Sequence, residues 1–111
     1  MELTQLEQNG VIILKLSGKL MGGPDATAVN DKLHELIEQG HTKVVADLSD
    51  VEWMNSSGLG ILISGLTTLQ NQGGSLKLAC VSENIQKLLT ITKLDRVLTP
   101  FDSVADAVNS F

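Results

Sequence analysis

Apolar residues follow two patterns along this chain, one with the two-residue period of a strand and one with the period of a helix. Residues 3–8 and 11–17 predict two strands, and the Asn9-Gly10 dipeptide between them favours a tight hairpin turn. A helix is predicted from Pro24, a residue favoured at the first helical position, to a stop at Gly40.

The rest of the chain repeats a strand-then-helix order three times. The predicted strands are residues 43–48, 76–81 and 96–98. The predicted helices begin near Ser56 or Ser57, at Ser82, and at Asp102 or Ser103. Strands that alternate with helices pair in parallel. The order ββαβαβαβα therefore predicts an α/β fold in a single domain over residues 1–111, with a mixed, mostly parallel sheet of about five strands and about four helices.

Composition narrows the classes of function. The 111 residues suffice for one domain, and their 42% hydrophobic and 19% charged content is typical of a globular protein. The formal net charge is −5, and the chain has no run of lysine or arginine. It also has one tryptophan, two phenylalanines and no tyrosine. These features disfavour binding to nucleic acid or to an anionic membrane surface.

The N-terminus has neither the basic region nor the apolar region of a signal peptide, and the longest apolar stretch, near residues 59–66, is too short to span a bilayer. A cytoplasmic location is expected. Cys80, the single cysteine, lies in an apolar run and is expected to be a buried structural thiol.

The chain offers little for catalysis. His34 and His41 are the only histidines, both are expected at the surface, and neither belongs to a Ser-His-Asp pattern. The glycines around residue 58 match neither a dinucleotide fingerprint nor a phosphate-binding loop. Asp47 and Asp50 alone are a weak metal signal, since a turn explains Asp50 equally well. We therefore expect no enzyme activity, no cofactor and no metal.

Residues 53–60, with the sequence WMNSSGLG, carry the most distinctive chemistry. Two adjacent serines stand between a predicted strand and a predicted helix. One hydroxyl there can cap the helix, and a phosphate would face the unpaired amides of its first turn. Ordinary capping and a phosphorylation switch both remain open from these residues alone.

The loops after residues 17 and 48 are expected at the carboxyl edge of the sheet, where the functions of open α/β sheets gather. This edge would bring a glycine-rich loop close to the two serines. Apolar Met21 and Trp53 beside them favour a surface for a protein partner over a reaction centre.

Residues 47–60, DLSDVEWMNSSGLG, resemble the signature of the STAS domain family, specifically the anti-sigma factor antagonists of bacterial partner-switching systems. The resemblance extends from the opening hairpin to the terminal helix. Two positions depart from the family pattern. Asn55 stands where the family usually has aspartate, and Met21 stands where an aspartate commonly follows Gly-x-Leu.

The resemblance implies a regulatory protein that switches partners. When unphosphorylated it would bind an anti-sigma factor with serine-kinase activity, which frees a sigma factor for transcription. Phosphorylation of Ser56 (alternatively Ser57) would break that complex, and a serine phosphatase would reset it. Ser57 would be the helix-capping neighbour. The implied protein is a monomer or weak dimer. The implied partner-binding residues are Met21, Gly22, Gly23, Trp53, Asn55, Ser56, Ser57, Gly58, Leu59 and Leu62, with the two leucines facing either the core or the edge of the partner surface.

Asn55 and Met21 also motivate an alternative of another class, since an uncharged loop edge suits a small ligand. In that interpretation the chain is a STAS-like module that binds a nucleotide or lipid, or docks on a transporter, without a phosphorylation switch.

Overall fold

The computed structural model of the protein describes residues 1–111 as five strands and four α-helices. The strands are Glu2–Gln8 (β1), Val11–Leu20 (β2), Lys43–Met54 (β3), Ser75–Ala79 (β4) and Pro100–Phe101 (β5). The helices are Pro24–Glu38 (α1), Ser56–Gln70 (α2), Glu83–Thr92 (α3) and Val104–Asn109 (α4). None of these helices is both long and apolar enough to cross a bilayer.

The sheet confirms the predicted topology. Its strands lie in the order β1-β2-β3-β4-β5, with β1 antiparallel to β2 and every other neighbouring pair parallel. Asn9 and Gly10 form the predicted hairpin turn, and both have left-handed backbone conformations, with φ of 54° and 79°. Such a turn follows the natural twist of two antiparallel strands, so the register between them is set locally.

Helices cover the two faces of the sheet unequally. The larger cluster of buried side chains joins the sheet to α1, α2 and α3, and includes Leu33, Leu62 and Leu89. A smaller cluster on the other face joins the sheet to α4 through residues such as Val45 and Val108. Because α2 directly follows β3, the start of α2 lies at the carboxyl edge of the sheet.

Two strands are longer than predicted, and they shape that edge. The predicted ends at residues 17 and 48 are wrong, because β2 and β3 continue to pair with each other up to Leu20 and Met54. The register shifts twice along this extension. Trp53 consequently pairs with Lys19 at the very end of the sheet, next to the first turn of α2.

The end of the chain corrects another prediction, because residues 96–98 are not a strand. Lys93 ends α3 in a left-handed conformation, with φ of 62°, and the chain then makes a short 3-10 turn at Leu94–Arg96. Leu98 is fully buried through packing in the larger cluster. The chain reaches the sheet only at Pro100, which pairs with β4.

Candidate functional site

The first turn of α2 contains both serines, and neither of them caps it. Ser56 and Ser57 are its first two residues, and both are exposed. The cap is Asn55, whose Oδ1 accepts a hydrogen bond of 2.8 Å from the amide of Gly58. The prediction that a serine caps this helix is therefore wrong. Asn55 has an extended backbone, so its side chain reaches the third amide of the helix, and asparagine caps as well as serine does.

Asn55 also holds the loop between β2 and α1. Its Nδ2 donates to the main-chain oxygen of Met21, at 3.3 Å. On the other side of the loop, the amide of Met21 donates to Oδ2 of Asp25, also at 3.3 Å. The loop and the start of α2 thus meet, as predicted for this edge of the sheet.

Two glycines allow the close approach of these segments. Gly22 has a φ of 100°, and a β-carbon there would lie 2.9 Å from the Cβ of Ser57. Gly58 packs against the main-chain carbonyl of Leu20, where any side chain would collide with backbone. The loop, the end of β2 and the first turn of α2 therefore pack as one unit.

Apolar side chains flank the two serines on the surface. Met21 is 40% exposed and Trp53 is 45% exposed. Trp53 also borders a groove between the end of β3 and α3. The groove is lined by Trp53, Met54, Asn84, Ile85, Lys87, Leu88 and Ile91.

Sequence reasoning missed the α3 side of this groove. Ile91 continues the apolar spacing of Ile85, Leu88 and Leu89 in the sequence, yet it is 79% exposed. At six positions after Ile85 it lies about 120° around the helix axis from that buried residue. This offset was the available signal that Ile91 faces away from the core.

Three of the predicted partner-binding residues offer no surface. Gly58, Leu59 and Leu62 are buried, the two leucines at 3% and 1% exposure in the larger cluster. Of the two orientations predicted for the leucines, the structure shows the one toward the core. They hold α2 on the sheet and cannot contact a partner while the domain stays folded.

The remaining chemistry-bearing residues lie elsewhere. Cys80 is half-buried rather than buried as predicted. It directly follows the last residue of β4 and has a left-handed backbone conformation, with φ of 59°. Burial raises the pKa of the Cys80 thiol, and the nearby carboxylate of Asp47 raises this pKa further.

The two histidines lie apart from the serines. His34 is exposed on α1, and His41 Nδ1 lies 3.6 Å from Glu7 Oε1. Nowhere do three His, Cys, Asp or Glu side chains form a group that could hold a metal ion.

The family model of the STAS domain matches residues 3–107 of the chain. The anti-sigma-B factor antagonist of Bacillus subtilis is 38% identical over 73 residues, which are 66% of this chain and 66% of that protein. The chain thus spans just under two thirds of the length of this relative. The chain is also similar to the anti-sigma F factor antagonist of Paenibacillus polymyxa, at 24% identity over 109 residues that are 97% of this chain and 92% of that protein.

Solved structures share the architecture. The crystal structure of TM1081 from Thermotoga maritima superposes with a TM-score of 0.85 at 26% identity, and the match covers 97% of this chain and 92% of that one. The anti-sigma factor antagonist SpoIIAA in its unphosphorylated form has a TM-score of 0.73 at 17% identity, covering 98% and 96% of the two chains. At that identity the likeness to SpoIIAA shows the fold alone.

Proposed function

The chain belongs to the STAS domain family, and we propose that it is an anti-sigma factor antagonist controlled by phosphorylation of Ser56. In its unphosphorylated form it binds an anti-sigma factor that has serine-kinase activity, and this binding releases a sigma factor for transcription. Phosphate on Ser56 dissociates the complex, and a serine phosphatase restores the binding form. The protein works in the cytoplasm as a monomer or weak dimer and catalyses no reaction itself.

The observation that carries this proposal is the capping of α2 by Asn55. Because Asn55 supplies the capping oxygen, the exposed Ser56 hydroxyl is not needed to cap the helix. The first amides of a helix lack partners within it, and the helix dipole favours negative charge there. A phosphate on Ser56 is therefore compatible with the folded domain.

The packing of the loop favours Ser56 over Ser57 as the acceptor. The Cβ of Ser57 lies against Gly22, so a phosphate on Ser57 would compete for space with the β2–α1 loop. Ser56 precedes it at the first helical position. Modification of Ser56 changes the surface without displacing the loop.

The surface around Ser56 suits a switch. Met21 and Trp53 supply exposed apolar area. Trp53 precedes Ser56 by three residues, and Met21 adjoins Gly22, which packs against Ser57. Desolvated aromatic side chains supply much of the affinity in protein interfaces. A phosphate adds about −2 charge at the same place, and this charge opposes the desolvation that docking requires.

The proposal is tested by incubating the purified protein with ATP and the anti-sigma factor kinase encoded in the same genome, followed by phosphopeptide mass spectrometry. We expect phosphate on Ser56 in the wild type and in Ser57→Ala, and none in Ser56→Ala. Phosphate on Ser57 alone would refute the assignment of the acceptor. A protein that is neither bound nor phosphorylated by that kinase would refute the proposed function.

A further inference from the structure

We propose that the side chain of Asn55 is a positioning residue that locks the β2–α1 loop onto the start of α2. The lock makes Met21, Gly22 and Ser56 parts of one preformed surface. The use of this surface for docking rests on the proposed function, whereas the lock itself is a property of the isolated chain.

The two hydrogen bonds of Asn55 require an amide. Its oxygen accepts from the Gly58 N–H at 2.8 Å, and its nitrogen donates to the Met21 carbonyl at 3.3 Å. The partners settle which atom is which, since an N–H can only donate and a carbonyl can only accept. An aspartate would still cap the helix, but its second oxygen would face the Met21 carbonyl without a proton to share.

The loop needs such a restraint because of its composition. Gly22 and Gly23 both have left-handed backbone conformations, with φ of 100° and 59°. Glycine has the greatest backbone freedom of any residue, so two in succession make a loop costly to order. In the other hydrogen bond of Met21, its amide donates to the carboxylate of Asp25, four residues along the same segment, so this bond does not tie the loop to α2.

The lock has a consequence for recognition. Met21 is exposed beside the serines, and its main chain is held at the point where Asn55 begins the helix turn. A surface that is ordered before binding loses less conformational entropy when a partner arrives. Asn55 thus contributes to binding through the loop, without itself needing to contact the partner.

The inference is tested on the isolated protein with two variants that keep the cap and remove the lock. Asn55→Asp retains a capping oxygen but loses the donor. Asn55→Ser also retains a capping oxygen and adds no charge, and its shorter side chain lacks the amide that donates to the Met21 carbonyl. Asn84→Asp, the same chemical change at an exposed position of α3, is the matched control. The readouts are amide hydrogen exchange at Met21 and 15N order parameters at Gly22 and Gly23.

The Met21 amide is bonded to Asp25 Oδ2, so its exchange reports how often the loop opens. Loss of the Asn55 bond to the Met21 carbonyl should accelerate that exchange between about twofold and tenfold in both Asn55 variants. Order parameters at Gly22 and Gly23 should fall in both Asn55 variants, while the amides of Leu62 and Leu66 should exchange at the wild-type rate. Asn84→Asp should match the wild type in exchange and order parameters at all these positions. Wild-type order of the loop in both Asn55 variants would overturn the inference. Because no partner is needed, a failure to phosphorylate Ser56 would refute the proposed function without changing this result.

Discussion

Gly58 of α2 packs directly on the main-chain carbonyl of Leu20, with no room for a side chain between them. The first turn of α2, which contains the proposed phosphoacceptor Ser56, therefore packs on the last residue of β2. Neither partner can move alone, because Leu20 is fully buried and paired with Met54 in the sheet. The position of Ser56, two residues before Gly58, follows from this contact.

Gly58→Ala should lower the free energy of unfolding by about 1–3 kcal/mol, the usual cost of overpacking a tight site. The measurement is urea denaturation followed by circular dichroism. Gly60→Ala is the matched control, since Gly60 is exposed in the same helix and open space surrounds it. Alanine there should raise the free energy of unfolding by about 0.5–1 kcal/mol through helix propensity. Equal effects of the two substitutions would contradict the described packing.

Trp53→Ala should weaken binding of the kinase partner at least about tenfold, because a half-exposed tryptophan beside the acceptor turn is a strong candidate for an interface hot spot. Titration calorimetry measures the affinity. The control is Leu6→Ala, which also removes an exposed apolar side chain. Leu6 pairs with Ile13, and Ile13 pairs with Val45, which precedes Trp53 on β3 by eight residues, so Leu6 lies toward the opposite end of the sheet. A loss of affinity in Leu6→Ala, or none in Trp53→Ala, would place the docking surface elsewhere.

The Cys80 thiol should react with iodoacetamide more slowly in the native protein than in guanidinium at pH 8, because burial and Asp47 raise its pKa and disfavour the thiolate.

The raised pKa of Cys80 also predicts that the free energy of unfolding depends on pH. Below the unfolded pKa of about 8.5 the thiol is neutral in both states and has no effect. Above it the unfolded state ionises first, so the free energy of unfolding falls as pH rises. Cys80→Ala should make the free energy of unfolding fall less steeply with pH in this alkaline range. An unchanged slope would show that Cys80 does not cause the pH dependence.

Local patterns predicted most of the fold. Asn9-Gly10 predicted the hairpin because few dipeptides adopt its two left-handed conformations easily. The strand-then-helix alternation predicted the parallel sheet, since consecutive parallel strands need a crossover. The strand predicted at residues 96–98 failed because Leu98, a single buried leucine, gives the same apolar signal in a turn as in a strand.

The site was predicted less completely than the fold. Asn55, Ser56 and Ser57 are all good capping residues, and only the backbone conformation decides among them. The extension of β3 to Met54 depends on pairing with β2 and has no local signal. The groove beside Trp53 requires the position of α3, which lies thirty residues further along the chain.

In the proposed switch, phosphate on Ser56 separates the protein from its kinase partner. The most direct measurement is the affinity of that partner for the unmodified protein and for protein phosphorylated on Ser56, compared by titration calorimetry in the same buffer. We predict that phosphorylation weakens binding at least about tenfold, while the circular dichroism of the protein stays unchanged, because the charge falls on an exposed helix start. Equal affinity for the two forms would show that phosphate on Ser56 does not control binding.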